Sequence, residues 1–285
     1  MNSMKIMSIG DIHGRSQWKD AIFGSTMDYE HWRREADQGI VEIMADQYPK
    51  LQSLDKIVFV GDYVDSFDIK NPEMKLNLED IIHFKRTYPD KVVLLLGNHD
   101  IQYIVPNQIC SGYRPEMKHD FGDIFNRNID CFQLAYYHET EDPYKNIKRT
   151  LWTHAGVTQG WVRMAKNFCE RDNFRHKEDF KDADAIRIDE LLNRMWEYRL
   201  DILFTVDGDS GGMSQWAGPL WVRPRRLTWE ALEGYDQVIG HTPQRTIKTM
   251  VTEKASETQY THMIDTIFLI DCLEHGDGSV LIKDY

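Results

Sequence analysis

Met4-Lys-Ile-Met-Ser-Ile-Gly-Asp-Ile-His-Gly14 is a short apolar run that leads directly into a glycine, an aspartate and a histidine. Asp11 and His13 lie two positions apart, so an extended backbone points both side chains the same way. The arrangement recurs along the chain. Lys56–Val60 ends at Gly61-Asp62, with Asp65 close behind, and Val92–Leu96 ends at Gly97-Asn98-His99-Asp100. Arg149–Thr153 ends at His154, and Gln237–Ile239 at Gly240-His241. Between the second and third runs, Leu76, Leu78, Ile81, Ile82 and Phe84 follow helical spacing. Short apolar strands alternating with helices predict an α/β fold built on largely parallel sheet. Ligands in such folds collect beyond the carboxyl ends of the strands, where these polar residues stand.

Two stretches interrupt the alternation. Gly24–Leu54 carries helix-like apolar spacing at Ile40, Ile43 and Met44, and Val157–Gly234 includes a helix-like Asp189–Ile202 and a glycine-rich Gly208–Gly212. Neither is set off by a Pro/Ser linker. The reading is one domain over residues 1–285 with elaborations near 24–54 and 157–234. Thr261–Cys272 and Ser279–Ile282 read as a terminal hairpin.

Composition narrows the function. The 285 residues hold 34 Lys plus Arg against 46 Asp plus Glu, a net charge of −12, which disfavours general nucleic-acid or acidic-membrane binding. Apolar runs are far shorter than a membrane span, and no secretory leader is visible. Cys110, Cys131, Cys169 and Cys272 are scattered, which fits free thiols in a reducing cytoplasm better than a zinc knuckle or a disulfide framework. Gly208-Asp-Ser-Gly-Gly212 matches the loop around a trypsin-like nucleophile, but βα alternation is the wrong architecture for that protease. Asp207-Gly-Asp209 begins like a calcium loop and fails at Gly218, where a bidentate Glu is needed.

Taken in order, Gly10-Asp-Ile-His-Gly14, Gly61-Asp-Tyr-Val-Asp65, Gly97-Asn-His-Asp100, Thr153-His-Ala-Gly156 and Gly240-His-Thr242 resemble the motifs of the calcineurin-like metallophosphoesterases, nearest their phosphoprotein phosphatase branch. Met263-Ile-Asp-Thr266 is similar to that family's last core strand. The resemblance implies a four-layer αββα sandwich with two divalent metals, here with two inserted segments that the resemblance does not explain. Asp11, His13 and Asp62 would hold the first metal, and Asp62 would bridge to a second held by Asn98, His154 and His241. Carboxylate, amide and imidazole ligands without thiolate suit Mn²⁺ first, or Fe or Zn²⁺. The resemblance further implies a phosphomonoesterase in which a hydroxide between two metals attacks phosphorus, acting on a phosphoprotein or a nucleotide. His99 would be the general acid and Asp65 the carboxylate that orients it.

Several positions depart from the family pattern. Other branches have Gly-His-x-His, but the second His is Pro243 here, which leaves the first metal's shell open. Ser66 stands where protein-phosphatase relatives place a phosphate-clamping Arg. Arg223, in Leu220-Trp-Val-Arg223, resembles an Arg that bacterial relatives direct at phosphate, with Arg225 and Arg226 as nearby substitutes. Asp100 and Ala155 are variants shared with dinucleoside tetraphosphate hydrolases, the alternative activity, although bacterial members of that group typically lack the Asp65 retained here. Ile267 stands where the last strand often has Gly.

Overall fold

The computed structural model describes residues 4–39, 47–141, 145–206, 211–254 and 263–285. Ile40, Ile43 and Met44 of the first expected insertion lie outside these residues, as do Asp207–Ser210 of the glycine-rich stretch and Thr261–His262 of the expected last strand. The strands are β1 (Lys5–Ile9), β2 (Lys56–Phe59), β3 (Val92–Leu95), β4 (Phe132–Gln133), β5 (Ala135–Glu141), β6 (Ile147–Thr153), β7 (Tyr235–Ile239), β8 (Lys248–Lys254), β9 (Met263–Leu269) and β10 (Leu281–Asp284). The chain divides into two compact units. One comprises Met1–Phe132, Pro243–Ile247 and Ile270–Tyr285; the other comprises Gln133–Thr242 and Lys248–Leu269. The expected α/β class is observed, with helices alternating with strands and one five-stranded sheet in each group.

The first sheet runs β10-β1-β2-β3-β4. β1, β2 and β3 are parallel, with Ile9 opposite Phe59 and Phe59 opposite Leu94, so their carboxyl ends reach the same sheet edge. From Ile6, Ile57 and Val92 onward these strands are buried, which is why their apolar runs are continuous and do not alternate. The helix Asn71–Thr87 turns Met74, Leu78, Ile81 and Phe84 inward. Phe84 and Tyr88 also receive the first inserted segment. Trp32, on the helix Thr26–Asp37, lies 5.5 Å from the Phe84 ring and 6.0 Å from the Tyr88 ring. Ser25 caps that helix, its Oγ accepting the Asp28 N–H at 3.0 Å.

The second sheet runs β5-β6-β7-β9-β8, with β6, β7 and β9 parallel. Ala155, Val222, Leu227, Ile239, Ile267 and Leu269 pack as one buried cluster. This explains the Ile267 departure: the side chain is core. The second inserted segment covers the β5 edge through the helix Ile188–Glu197. Asn193 Oδ1 accepts the N–H groups of Leu134 and Ala135 at 2.9 and 3.0 Å.

The expected terminal hairpin is not formed. β9 pairs with β7 and β8, while β10 pairs antiparallel with β1. The antiparallel partner of β9 is the largely polar Lys248–Lys254, whose composition carries little strand signal.

Two backbone segments of the first unit pass close together at the end of β1. A Cβ on Gly10 would stand 2.1 Å from the Ile270 carbonyl oxygen, so only glycine lets the two segments pass. Gly10→Ala should therefore lower stability by about 2 kcal/mol through forced backbone displacement, read as a drop in the urea midpoint.

Candidate metal centre

The loops after β1, β2 and β3 are laced together by backbone groups. The Asp62 carbonyl accepts the N–H groups of Ile12 and His13 at 3.0 and 2.7 Å, and the Tyr63 carbonyl accepts that of Gly14 at 2.9 Å. The Asp100 carboxylate accepts N–H groups from Gly97, Asp62 and Tyr63 at 2.8, 2.9 and 2.8 Å. Asp62 Oδ1 in turn accepts the His99 N–H at 2.9 Å. Gly97 is sterically required, since a Cβ there would lie 2.0 Å from Asp62 Oδ1. His13, Asp62 and Asp65 have φ of 43°, 51° and 68°, a left-handed conformation that persists because surrounding contacts over-determine it.

This lacing brings Asp11, His13 and Asp62 together, each offering a ligand atom within 4.8 Å of the others. His13 Nδ1 lies 3.0 Å from the Val64 carbonyl, which places its proton there and leaves the Nε2 lone pair for a cation. Nε2 is 3.8 Å from Asp62 Oδ2. Two buried carboxylates around an oriented imidazole fit a divalent cation.

Beside this triad, His99 Nδ1 is 3.3 Å from Asp65 Oδ2, and the His99 and His13 rings meet edge to face at 5.1 Å. Asp65 is also held by Tyr103, whose hydroxyl donates to Oδ1 at 2.5 Å, and by the Gln102 amide. Burial opposes charge on the His99 ring. The Asp62 carboxylate and the Asp65 hydrogen bond outweigh it and hold the His99 pKa well above the ordinary imidazole value. Burial also raises the Asp65 pKa, against the hydrogen bonds from His99 and Tyr103. Asn98 begins the helix Asn98–Ile104, its Nδ2 3.5 Å from Cys110 Sγ.

In the second unit, β6 and β7 end side by side. The Gly240 N–H donates to the His154 carbonyl at 2.8 Å, and the His154 and His241 rings are 5.1 Å apart. Arg223 reaches back to this pair, with Nη1 3.4 Å from the His241 carbonyl and 3.3 Å from Thr242 Oγ1. Its two substitutes are turned elsewhere. Arg225 lies over the Trp229 ring at 4.7 Å, and Arg226 pairs with Glu230.

Three charged residues near the triad carried no motif. Arg15 is buried, with Nη1 3.1 Å from the His13 carbonyl and 3.0 Å from Ser66 Oγ. Asp271 shares a hydrogen bond with Asp11, and burial together with the Asp62 charge pushes its pKa up to about 7. Glu274 lies against both His13 and Arg15. Arg15 directly follows Gly14, which was the one available sequence signal. Asp271 and Glu274 come from a turn more than 250 positions downstream, beyond the reach of local pattern.

The family model for calcineurin-like phosphoesterases matches residues 4–245. Among solved structures, the chain is similar to the phosphatase domain of the Legionella effector WipB, at 10% identity over 84% of this chain and 98% of that one, with a TM-score of 0.36. It is also similar to the phosphopantetheinyl hydrolase PptH of Mycobacterium tuberculosis, at 11% identity over 94% and 89% of the two chains, with a TM-score of 0.29. No curated protein matches the chain in sequence.

The Asp100 clamp is open to a direct test. Asp100→Asn replaces one accepting oxygen by an N–H₂ group facing backbone donors, leaving at least one buried N–H unsatisfied. It should cost about 3 kcal/mol in urea unfolding at neutral pH, with loss of metal binding following from the loosened loops.

Proposed function

The chain belongs to the calcineurin-like phosphoesterase family, whose members hydrolyse phosphate esters, and from that premise we propose a phosphomonoesterase of the protein-phosphatase type using two divalent cations. The observation that carries this reading is the His99–Asp65 pair set against the Asp11–His13–Asp62 triad, a proton donor next to a cation site. In this reading Asp11, His13 and Asp62 hold the first cation. Asn98, His154 and His241 hold the second, with Asp62 shared, and Mn²⁺ is the first choice ahead of Fe or Zn²⁺. The family match covers residues of both units.

When bound, the cations supply positive charge for the phosphate oxygens and lower the pKa of the attacking water. The chain's own residues do the rest. His99 gives its proton to the departing alkoxide, and Asp65, fixed by Tyr103 and Gln102, keeps the imidazole oriented and charged. Arg223 holds a non-reacting phosphate oxygen with its planar fork. Phosphoproteins are the preferred substrate class over dinucleoside polyphosphates. Asp65 is in place, and of the two features shared with the nucleotide hydrolases, Ala155 is a fully buried member of the second unit's core and Asp100 is buried on backbone N–H groups. Four free cysteines support a reducing compartment, and no helix among the described residues is long and apolar enough to cross a membrane.

The test is a panel of aryl phosphate, phosphopeptide, diadenosine polyphosphate and cyclic nucleotide with Mn²⁺. Turnover of the first two is expected, and activity on none of the four would refute the reading. His99→Asn should leave metal content intact and slow alkyl or phosphopeptide turnover far more than aryl phosphate turnover, because a good leaving group needs little protonation. Arg223→Ala should lower kcat/KM by about 10²-fold, or about 2.7 kcal/mol, and weaken inhibition by inorganic phosphate with both metals still bound.

A further inference from the structure

The His13 Nε2 lone pair is faced by two carboxylates at nearly equal range: Asp62 Oδ2 at 3.8 Å and Glu274 Oε2 at 3.7 Å. Two electron-pair donors facing each other at that distance call for a positive charge between them. Ligands bonded to one ion at about 2.1 Å stand about 3.0 Å apart when cis in an octahedron and about 3.4 Å apart in a tetrahedron. The observed 3.8 and 3.7 Å exceed the tetrahedral span by about 0.3–0.4 Å and the octahedral span by about 0.7–0.8 Å, gaps within the reach of side-chain rotation.

Glu274 is also held as a ligand would be. Its side chain is 8% exposed, and its second oxygen, Oε1, lies 3.4 Å from Arg15 Nη2. Arg15 is itself fixed, by the His13 carbonyl, by Ser66 Oγ and by Asp68 at 2.7 Å. Asn77 Nδ2 adds a bond to the Arg15 carbonyl at 3.1 Å. Oε2 lies 3.6 Å from the exposed His275 Nε2 as well as 3.7 Å from His13 Nε2, and a carboxylate whose other oxygen is anchored by a guanidinium is oriented in advance for a cation on the His13 side.

An independent feature of the same turn points the same way. Asp271 is 2% exposed, one of its carboxylate oxygens bonds Asp11, and the other, Oδ1, has no hydrogen-bond partner. The turn is held in place by Gln244, whose N–H donates to the Asp271 carbonyl at 2.8 Å. Gln244 directly follows Pro243, the position with no ligand atom to offer. We infer that Glu274 is a further ligand of the first cation, closing the position that Pro243 leaves open, with Asp271 positioning Asp11. The anchor on Arg15 makes use of Ser66, so that the guanidinium at this edge serves a metal ligand and not a phosphate.

This inference rests on the two-cation reading above, and its experiment separates the two. Mn²⁺ binding to the full chain is measured by calorimetry and electron paramagnetic resonance, with unfolding of the metal-free protein as the structural control. Glu274→Gln should weaken one of two Mn²⁺ sites at least tenfold, leave the other unchanged and not lower the metal-free unfolding midpoint. Unchanged affinity at both sites would overturn it. Should the variant not fold, wild-type protein loaded with Fe²⁺ and given ascorbate and peroxide reads the same contact. Backbone cleavage at residues 273–275 supports the ligand, and cleavage confined to the neighbourhoods of residues 11–13 and 60–63 overturns it. A wild type that binds two Mn²⁺ yet hydrolyses no phosphate ester removes the function and leaves the Glu274 result standing. An active wild type with an unaffected Gln variant removes Glu274 alone.

Discussion

Three backbone N–H groups, from Gly97, Asp62 and Tyr63, converge on the carboxylate of Asp100, which is fully buried. They come from the ends of two neighbouring strands, so one side chain sets the distance between two loops. Asp62, positioned this way, offers its carbonyl to Ile12 and His13 and thereby draws in the loop after β1. A buried carboxylate with three donors has little freedom to move, because any departure strands an N–H away from water. The left-handed backbones of His13, Asp62 and Asp65 depend on that rigidity.

The second constraint is charge. Asp11, Asp62, Asp65, Asp100 and Asp271 are all nearly fully buried, and Glu274 adds a sixth carboxylate in the same unit. Such a concentration is unfavourable unless cations or hydrogen-bond donors answer it. Asp100 and Asp65 are answered by donors, and Glu274 in part by Arg15. Asp271 is answered by its hydrogen bond with Asp11, and burial raises its pKa as it raises those of Asp100 and Asp65. A chain of net charge −12 that acts on phosphate needs local positive charge, and under the proposed function divalent cations held by these carboxylates would supply it.

The inserted segments serve these loops indirectly. Trp18, on the helix Gln17–Phe23 just ahead of the first inserted segment, donates its Nε1–H to Asn77 at 2.9 Å, and Asn77 holds the Arg15 backbone. The aromatic cluster around Trp32 and Phe84 stiffens the same region from behind. In the second unit, Gly156 takes φ of 99° just after β6, and a Cβ there would meet Leu227 at 2.6 Å. The turn that follows His154 is therefore shaped by core packing.

Much of the site was legible in the sequence because its residues sit where strands stop, and strand ends are marked by glycine. Gly10, Gly61, Gly97 and Gly240 announce the turns, and period-two spacing pairs Asp11 with His13. The α/β class followed from short continuous apolar runs, as strands buried on both faces require, alternating with helical spacing. Tertiary structure alone decided the rest. The partner of β9 is a polar strand without local signal, and β10 leaves the expected hairpin to pair with β1. Asp271 and Glu274 meet Asp11, His13 and Arg15 across more than 250 residues of chain, through a backbone crossing that Gly10 permits. Motif and periodicity report what neighbours in sequence share, whereas ligand geometry depends on distances between segments that only the folded chain brings close.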